Sequence, residues 1–287
     1  MAYQQPQSPK YDCLLFDLDD CLYPFSSGMN DLITKNVADY MHEKLGIEES
    51  KIPELGNYLY KTYGTSMAGI RAIGYEFDYD EYHRFVHGKL PYENLKPDPV
   101  LRSLLLSLPY RKVIFTNADK IHAAKALSRL GLEDCFGQII CFETLNPPIQ
   151  KTTNSESFGE CNGKPTKIFD IAAHFSQVDN GESELPKSAI LCKPAEAAFE
   201  QALKIADINP KTTIFFDDST RNIASGKRAG LTTVLVGKSQ RCQGADYALE
   251  SIHNIREVLP ELWGDVGEKK SEKVVGNEIT IETSVIA

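Results

Sequence analysis

The sequence has no apolar run approaching the roughly 18–20 residues that a membrane-spanning helix requires. It also has no C-x-x-C pair, and its seven cysteines are an odd number, so neither a disulfide framework nor a zinc ribbon is predicted. The first ten residues carry one positive side chain and no apolar core, which argues against a secretory signal peptide. These absences lead us to expect a soluble chain in a reducing compartment, cytoplasmic or nuclear.

Positive charge is also scarce. The 287 residues include 31 Lys and Arg against 40 Asp and Glu, which gives a formal net charge of −9. A protein that grips nucleic acid or an anionic membrane usually concentrates basic residues on one face. The acidic balance therefore argues against both partners, and an anionic substrate would need a local reversal of this charge.

A short apolar run that stops at polar residues recurs along the chain. Residues 13–16 are apolar at every position, which is typical of a strand buried on both faces. Helical patterns occupy 120–130 and 221–229, and further apolar runs lie at 138–141 and 233–236. This repetition predicts an α/β fold, a Rossmann-like doubly wound parallel sheet whose ligands bind beyond the carboxyl ends of the strands. The runs that end in polar residues are Cys13–Phe16 before Asp17, Val113–Phe115 before Thr116-Asn117, and Thr213–Phe216 before Asp217-Asp218.

Between the first two of these runs the pattern changes to apolar residues at helical spacing. We expect a helical unit inserted after the first strand, closed by the hinge-like segment Lys96-Pro97-Asp98-Pro99. The predicted organisation is a disordered N-terminus at 1–10, a core formed by 11–22 and 97–260 with a long loop at 146–186, the helical insert at 23–96, and a disordered tail at 264–287.

The polar residues at the strand ends carry the chemistry. Asp17 and Asp19 form a D-x-D pair, which in an extended segment points both carboxylates to the same side. The two carboxylates of such a pair repel each other unless a cation lies between them. The alternative interpretation is a polar turn that merely ends the strand. Asp217 and Asp218 at a second strand end favour the cation, and oxygen ligands at one sheet edge suit Mg²⁺.

Three further residues have both a structural and a functional interpretation. Thr116 and Asn117 offer a hydroxyl and an amide at a third strand end, or they cap the helix that begins near Asp119. Lys193 precedes Pro194 and a predicted helix, so it is either a solvated lysine or a cation that neutralises an anion near the carboxylates.

Taken in order, the motifs FDLDDCLY, IFTNA, CKP and IFFDDSTRNI resemble those of the haloacid dehalogenase-like (HAD) hydrolase superfamily. The resemblance covers about residues 11–245 and implies a Rossmann-like core whose helical insert, directly after the first motif, is a cap. At one position of the first motif, where Thr or Val is usual, this chain has Cys21, which we expect to be a buried and inert thiol.

The resemblance also implies catalytic roles. Asp17 would be the nucleophile that takes the phosphoryl group, and Asp19 the general acid and then the general base. Thr116 would hold phosphate oxygens, and Lys193 would screen the carboxylates and stabilise the transferring phosphoryl group. Because a halide leaves without a proton and an alkoxide does not, Asp19 favours phosphate-ester hydrolysis over dehalogenation.

The same resemblance implies a cofactor. Mg²⁺ would bind Asp17, the backbone carbonyl of Asp19 and an acid of the last motif. Matching STRNI to the family pattern makes Asp218 the direct ligand and Asp217 the water-mediated one.

The segments YGTSMAGIR and LPYENLKPDP resemble the yeast-type pyrimidine 5′-nucleotidases and their plant relatives. That resemblance implies hydrolysis of UMP and CMP, although related caps accept sugar phosphates or phosphoglycolate and a phosphomutase stays open. A non-catalytic interaction protein on the same fold is disfavoured because all the catalytic-type residues are present. Aromatic residues of a helical cap are more often packing than ligand contacts. The substrate-binding candidates are Thr116, Asn117, Lys193, Tyr23, Tyr63 and Arg71.

Overall fold

The computed structural model describes residues 10–148, 168–171, 174 and 184–263. The predicted disordered ends, apart from Lys10, and most of the predicted loop at 146–186 lie outside the described residues. None of the described helices is both long and apolar enough to cross a membrane.

Across the described ranges the strands form one parallel sheet in the order β3-β2-β1-β4-β5-β6. This confirms the predicted α/β fold, and five strands coincide with predicted apolar runs. The sequence pattern missed β6, because it has three residues and two of them are only half-buried. The strands are β1 (Cys13–Phe16), β2 (Arg111–Phe115), β3 (Gln138–Ile140), β4 (Thr213–Asp217), β5 (Thr232–Val236) and β6 (Tyr247–Leu249).

Helices connect the strands and also fill the interval between β1 and β2. The described α-helices are α1 (Met29–Glu43), α2 (Ile52–Tyr63), α3 (Ser66–Ala72), α4 (Tyr79–His87), α5 (Pro99–Ser107), α6 (Lys120–Leu130), α7 (Phe142–Leu145), α8 (Glu196–Ile205), α9 (Thr220–Arg228) and α10 (Ile255–Val258).

The uniform apolarity of β1 follows from its place in the middle of the sheet. Leu14 and Phe16 pack into the hydrophobic cluster on one face, and Cys13 and Leu15 pack into the cluster on the other. Alternate side chains of a strand point to opposite faces, so a strand covered on both sides must be apolar throughout.

The helices α1 to α4 lie within residues 23–96, the helical insert, and enclose a hydrophobic cluster of their own. Tyr40 lies at its centre, with ring contacts to Tyr82 at 4.9 Å and Phe85 at 5.4 Å between centroids. The cluster continues into Phe142 and Cys192, which belong to the sheet side of the molecule. The insert therefore packs directly over the carboxyl end of the sheet.

One glycine allows the insert to approach closely. Gly64 ends α2 with φ at 90°, a conformation that side chains disfavour. A Cβ atom at this position would lie 2.3 Å from the carbonyl oxygen of Lys193 and 2.5 Å from Cδ of Pro194. The end of α2 therefore contacts the backbone that carries Lys193.

The packing of α8 on the sheet gives a test of the core. Phe199 is fully buried, and its ring meets Phe115 at 5.3 Å and Phe215 at 5.4 Å, both edge to face. We expect Phe199→Ala to lower the free energy of unfolding by about 3–5 kcal/mol, because it leaves a cavity that the strands cannot fill. The matched control is Val100→Ala on α5, where the side chain is 65% exposed and the expected change is within about 0.5 kcal/mol. Urea denaturation of both variants measures the difference, and equal midpoints would contradict the assignment.

Candidate active site

Parallel pairing brings the ends of β1, β2 and β4 to one edge of the sheet. Phe16 is in register with Ile114 on one side and Phe216 on the other, so the residues that follow these strands converge. The backbone N–H of Asp17 donates to the carbonyl of Phe216 at 2.8 Å, which holds this residue beside β4. The predicted gathering of carboxylates at one edge is therefore observed.

The ammonium of Lys193 lies among these carboxylates. Nζ is 2.8 Å from Oδ1 of Asp17 and 2.7 Å from Oδ2 of Asp217, and it donates to the carbonyl of Phe115 at 2.7 Å. The residue is 1% exposed. Burial would lower the pKa of Lys193, but the two carboxylates raise it above its ordinary value. The interpretation of Lys193 as a solvated lysine is thus wrong, because all three of its protons have acceptors inside the protein.

Asp217 is held from several directions at once. Oδ1 accepts from the backbone N–H of Ser219 at 2.9 Å, and the amide of Asn222 donates to both carboxylate oxygens at 3.0 and 3.1 Å. Asn222 lies on the first turns of α9, so the helix that follows β4 orients the carboxylate. The sequence pattern did not single out this asparagine, although it stands five residues after Asp217 in the same motif.

More negative charge gathers at this edge than one lysine can neutralise. Carboxylate oxygens of Asp17, Asp217 and Asp218 lie within 4.8 Å of one another. Burial and the neighbouring carboxylates raise the pKa of Asp17 well above its ordinary value, even though Lys193 opposes that shift. Burial and the charge of Asp217 raise the pKa of Asp218 to about 7. These oxygen donors suit a hard divalent cation such as Mg²⁺, whose charge would relieve the repulsion.

Asp19 sits in a different environment from Asp17. Its Oδ1 accepts from Nε2 of His122 at 2.7 Å and from the hydroxyl of Tyr23, and its Oδ2 accepts from the hydroxyl of Thr116 at 3.4 Å. Burial would raise the pKa of Asp19, but these partners, His122 above all, hold it below the ordinary value. The pair D-x-D thus splits into one carboxylate bound to lysine and one bound to histidine.

His122 is the main site residue that the sequence pattern missed. It is fully buried on the inner side of α6, and Nδ1 is 2.9 Å from the hydroxyl of Tyr92. Burial would lower the pKa of His122, but the Asp19 carboxylate raises it above 6.5. In the sequence it stands three residues after Asp119, at the start of a helix that follows a strand end, and a histidine that only packs against the core fits that position equally well.

The helix after β2 is capped by Asp119, the residue near which that helix was expected to begin. Its Oδ1 accepts from the backbone N–H groups of Ile121 at 2.9 Å and His122 at 3.0 Å. Thr116 does not cap the helix; its hydroxyl accepts from the N–H of Ala118 at 3.0 Å and also faces Asp19.

The side chain of Asn117 holds the backbone of Lys193. Its amide donates to the carbonyl of Lys193 at 3.0 Å, and its Oδ1 accepts from the N–H of Lys193 at 2.8 Å. These two bonds join the end of β2 to the loop before α8 and fix where the lysine side chain begins.

The remaining substrate-binding candidates divide between two places. Tyr23 is buried against Asp19, within the site. The hydroxyl of Tyr63 donates to the carbonyl of Pro186 at 2.8 Å, and Arg71 pairs with Glu76 on the insert. The structure therefore brings Tyr23 to the carboxylates and directs Tyr63 and Arg71 into other contacts.

Cys21 is fully enclosed, as expected. It is 3% exposed, and burial raises the pKa of its thiol well above the ordinary value, with the nearby carboxylates adding to the shift. A neutral buried thiol is a poor nucleophile, so Cys21 serves here as a packing residue.

A cavity of about 540 Å³ lies between this edge and the helical insert. Its floor includes Asp19 and Asn117, and its walls combine apolar side chains with amides and hydroxyls. A volume of this size is typical of small-molecule sites. Wall residues from the insert include Met41, Met67, Tyr82 and Val86, which are apolar or aromatic, and Asn30, Asn57, Tyr60 and Ser66, which are polar.

Comparison with known proteins bears on the family. Residues 165–236 match a family described as haloacid dehalogenase-like hydrolase. Phosphate metabolism protein 8 of Saccharomyces cerevisiae is 30% identical over 139 residues, which are 46% of this chain and 43% of that protein. The match therefore spans less than half the length of this curated relative.

Two solved structures are similar to this chain at low sequence identity. A HAD-hydrolase from Bacillus subtilis, whose crystal structure is bound to magnesium, has a TM-score of 0.50 at 17% identity and covers 86% of this chain and 98% of its own. A HAD phosphatase from Thermococcus onnurineus has a TM-score of 0.47 at 20% identity and covers 86% and 96%. The family match over residues 165–236 confirms a resemblance to HAD-like hydrolases, and the first of these two structures confirms the fold.

Removal of the Lys193 ammonium should cause a large and pH-dependent loss of stability. Lys193→Met leaves Asp17 and Asp217 buried without a counter-charge, so in EDTA at pH 8 we expect a loss of about 3–5 kcal/mol. The loss should be smaller at pH 5. Without the lysine the pKa of Asp17 in the folded state rises further, so at pH 5 this carboxyl is protonated and its burial no longer costs the free energy of a buried charge.

The control for this variant is Lys227→Met. Lys227 pairs with Asp246 on the surface, with side chains 48% and 31% exposed, and its loss should change stability by less than about 1 kcal/mol at both pH values. Urea denaturation at pH 5 and pH 8 gives the comparison. A deficit for Lys193→Met that stays constant or grows toward pH 5 would contradict the assignment.

Proposed function

We propose that the protein is a Mg²⁺-dependent phosphatase that hydrolyses a small phosphate monoester through an aspartyl-phosphate. The observation that carries the proposal is the contrast between Asp17, clamped by Lys193, and Asp19, hydrogen-bonded to His122. Two carboxylates in opposite environments supply a nucleophile and an acid–base group side by side.

Asp17 attacks the phosphorus, and the alkoxide of the substrate leaves. Lys193 favours the ionised form of the attacking carboxylate by opposing the rise in its pKa, and it offsets charge on the transferring phosphoryl group. Asp19 gives a proton to the leaving oxygen and then takes one from the water that hydrolyses the aspartyl-phosphate. Because His122 favours the ionised form of Asp19, the proton that Asp19 passes to the leaving oxygen comes from Nε2 of His122, and the proton taken from water returns to His122 through Asp19.

The neighbouring residues position these groups. Thr116 stands at the end of β2, where its hydroxyl and the adjacent backbone amides meet phosphate oxygens. Asn117 acts by positioning Lys193 through two hydrogen bonds to its backbone, and it does not contact the reacting atoms.

Asp17 and Asp218 would hold Mg²⁺ directly, together with the backbone carbonyl of Asp19. An indirect role for Asp217 is supported by its hydrogen bonds, since both of its oxygens already serve Lys193 and Asn222. Bound Mg²⁺ would supply the positive charge that draws a phosphate to an edge rich in carboxylates. A structural neighbour with the same fold is bound to magnesium.

A pyrimidine nucleoside monophosphate is the substrate that we propose. The helical insert then serves as the cap, and the 540 Å³ cavity beneath it receives the nucleoside while the phosphate meets Asp17. Aromatic and apolar wall residues such as Tyr82 and Met67 suit a flat base, and the amides of Asn30 and Asn57 suit its polar edge.

Phosphate release tests the nucleophile. Asp17→Asn should reduce turnover at least about a thousandfold, because an amide cannot form the phosphoryl-enzyme while its size is unchanged. Release of inorganic phosphate from a generic ester in Mg²⁺ buffer provides the measurement, and a circular dichroism spectrum checks the fold.

The same assay carries its own controls. EDTA should silence the wild-type chain and Mg²⁺ should restore it. Asp246→Asn, a surface acid outside the site, should leave turnover unchanged. Full turnover by Asp17→Asn, or by wild-type protein in metal-free buffer, would refute the mechanism. Absence of phosphate release by the wild-type chain with Mg²⁺ would instead favour a non-catalytic role for this fold.

A substrate panel tests the specificity. UMP and CMP should exceed AMP, GMP, phosphoglycolate and a hexose phosphate in kcat/KM, by about tenfold or more if the cavity reads the base edge. A flat profile, or a preference for the small or sugar phosphates, would reject the nucleotidase assignment and leave the phosphatase mechanism standing.

A further inference from the structure

A second cluster of metal-ligand side chains lies beside the cavity, apart from the acidic edge. His83 and His87 lie on α4 of the helical insert, and Asp119 lies just before α6. Ligand atoms of these three residues are within 4.8 Å of one another. The two histidines are four residues apart on one helix, which places their rings on the same face.

His83 is the unexplained member of this cluster. It is only 8% exposed, and neither ring nitrogen has a hydrogen-bond partner among the described residues. Its Nδ1 points toward Oδ2 of Asp119 at 3.6 Å, which is too long for a hydrogen bond and close to the separation of two ligands on one small cation. A buried imidazole with two unsatisfied nitrogens is costly unless something binds it.

Asp119 is oriented to complete the site. Its Oδ1 is occupied by two backbone N–H groups of α6, so Oδ2 is the oxygen that faces the histidines. Nδ1 of His87 bonds to that same oxygen. Backbone amides that fix a ligating carboxylate are the kind of outer support that metal sites use.

The surroundings limit what this cluster can bind. Phe142 packs against the ring of His83 at 4.6 Å between centroids, and the rings of His83 and His87 stack at 5.6 Å. A hydrogen bond between His87 and Asp119 alone would satisfy those two side chains but would leave both ring nitrogens of His83 without a partner. Two imidazole nitrogens and one carboxylate oxygen form a donor set that favours Zn²⁺ and similar ions over Mg²⁺.

We propose that His83, His87 and Asp119 bind a divalent transition-metal ion of the Zn²⁺ class, with the fourth ligand position open to the cavity. Binding replaces the hydrogen bond between His87 and Asp119 with two bonds to the ion and releases any shared proton to solvent. The ion would join the helical insert to the start of α6.

The proposed metal site lies next to the histidine that is bonded to Asp19. The ring of His87 lies 4.7 Å from the ring of His122, which is bonded to Asp19. An ion at this site would therefore lie on the side of Asp19, the acid–base group, and would not contact Asp17, the nucleophile. The binding proposal itself does not depend on the proposed phosphatase activity.

Metal uptake by the full chain tests the proposal. Protein kept in a large excess of Mg²⁺, which occupies the acidic edge, should still take up one equivalent of Zn²⁺ in equilibrium dialysis. Co²⁺ in place of Zn²⁺ should give the intense visible absorption of a four-coordinate ion, and Zn²⁺ should raise the melting temperature. No uptake under excess Mg²⁺, or an octahedral Co²⁺ spectrum, would overturn the site.

Variants locate the ion. His83→Asn and His87→Asn should each weaken Zn²⁺ binding by at least about tenfold, as loss of a ligand requires. His253→Asn removes an exposed histidine that pairs with Asp98, and it should bind Zn²⁺ as the wild type does. Asp218→Asn should weaken Mg²⁺ binding and leave Zn²⁺ uptake intact.

The opposite pattern is equally clear. Zn²⁺ uptake that survives in both α4 variants, or that disappears with Asp218→Asn, would place the ion elsewhere and refute the proposal. Circular dichroism at the assay temperature confirms that each variant is folded, and the wild-type spectrum with Co²⁺ decides the question if an α4 variant does not fold.

Discussion

The buried ammonium of Lys193 is the interaction on which the site depends. It enters a space where Asp17 and Asp217 would otherwise repel each other, and its three protons find three acceptors. A buried charge is tolerated only when it is paired and hydrogen-bonded, and this one satisfies both conditions. The surrounding structure serves that placement: Asn117 holds the backbone of the lysine, and Gly64 lets the helical insert reach it.

The two halves of the D-x-D pair differ because of what the fold places beside each. Lysine stands by Asp17, whereas His122 and Tyr23 bond to Asp19. Opposed environments of this kind separate the roles of chemically identical groups. Tyr92 extends the second environment by contacting His122, so a chain of polar groups runs from the acid–base carboxylate into the region between core and insert.

Residues at the strand ends were predictable, and residues on helices were not. Asp17, Thr116 and Asp217 each follow an apolar run, and the edge they share is a property of any parallel sheet. His122 lies inside a helix, where a lone histidine carries no pattern that distinguishes a site residue from a packing residue. The spacing of His83 and His87 is visible in the sequence, but its third member comes from another segment of the chain.

The sequence by itself determined the fold class, the order of motifs and the acids that meet at the sheet edge, because local apolarity decides which segments become buried strands. It could not determine the partners of those acids. Only the tertiary structure decided that Asn117 is hydrogen-bonded to the backbone of Lys193 and that His122 is hydrogen-bonded to Asp19. It also decided that α4 brings two histidines next to Asp119. Such contacts join segments far apart in the chain, and their geometry depends on how the helical insert packs against the sheet.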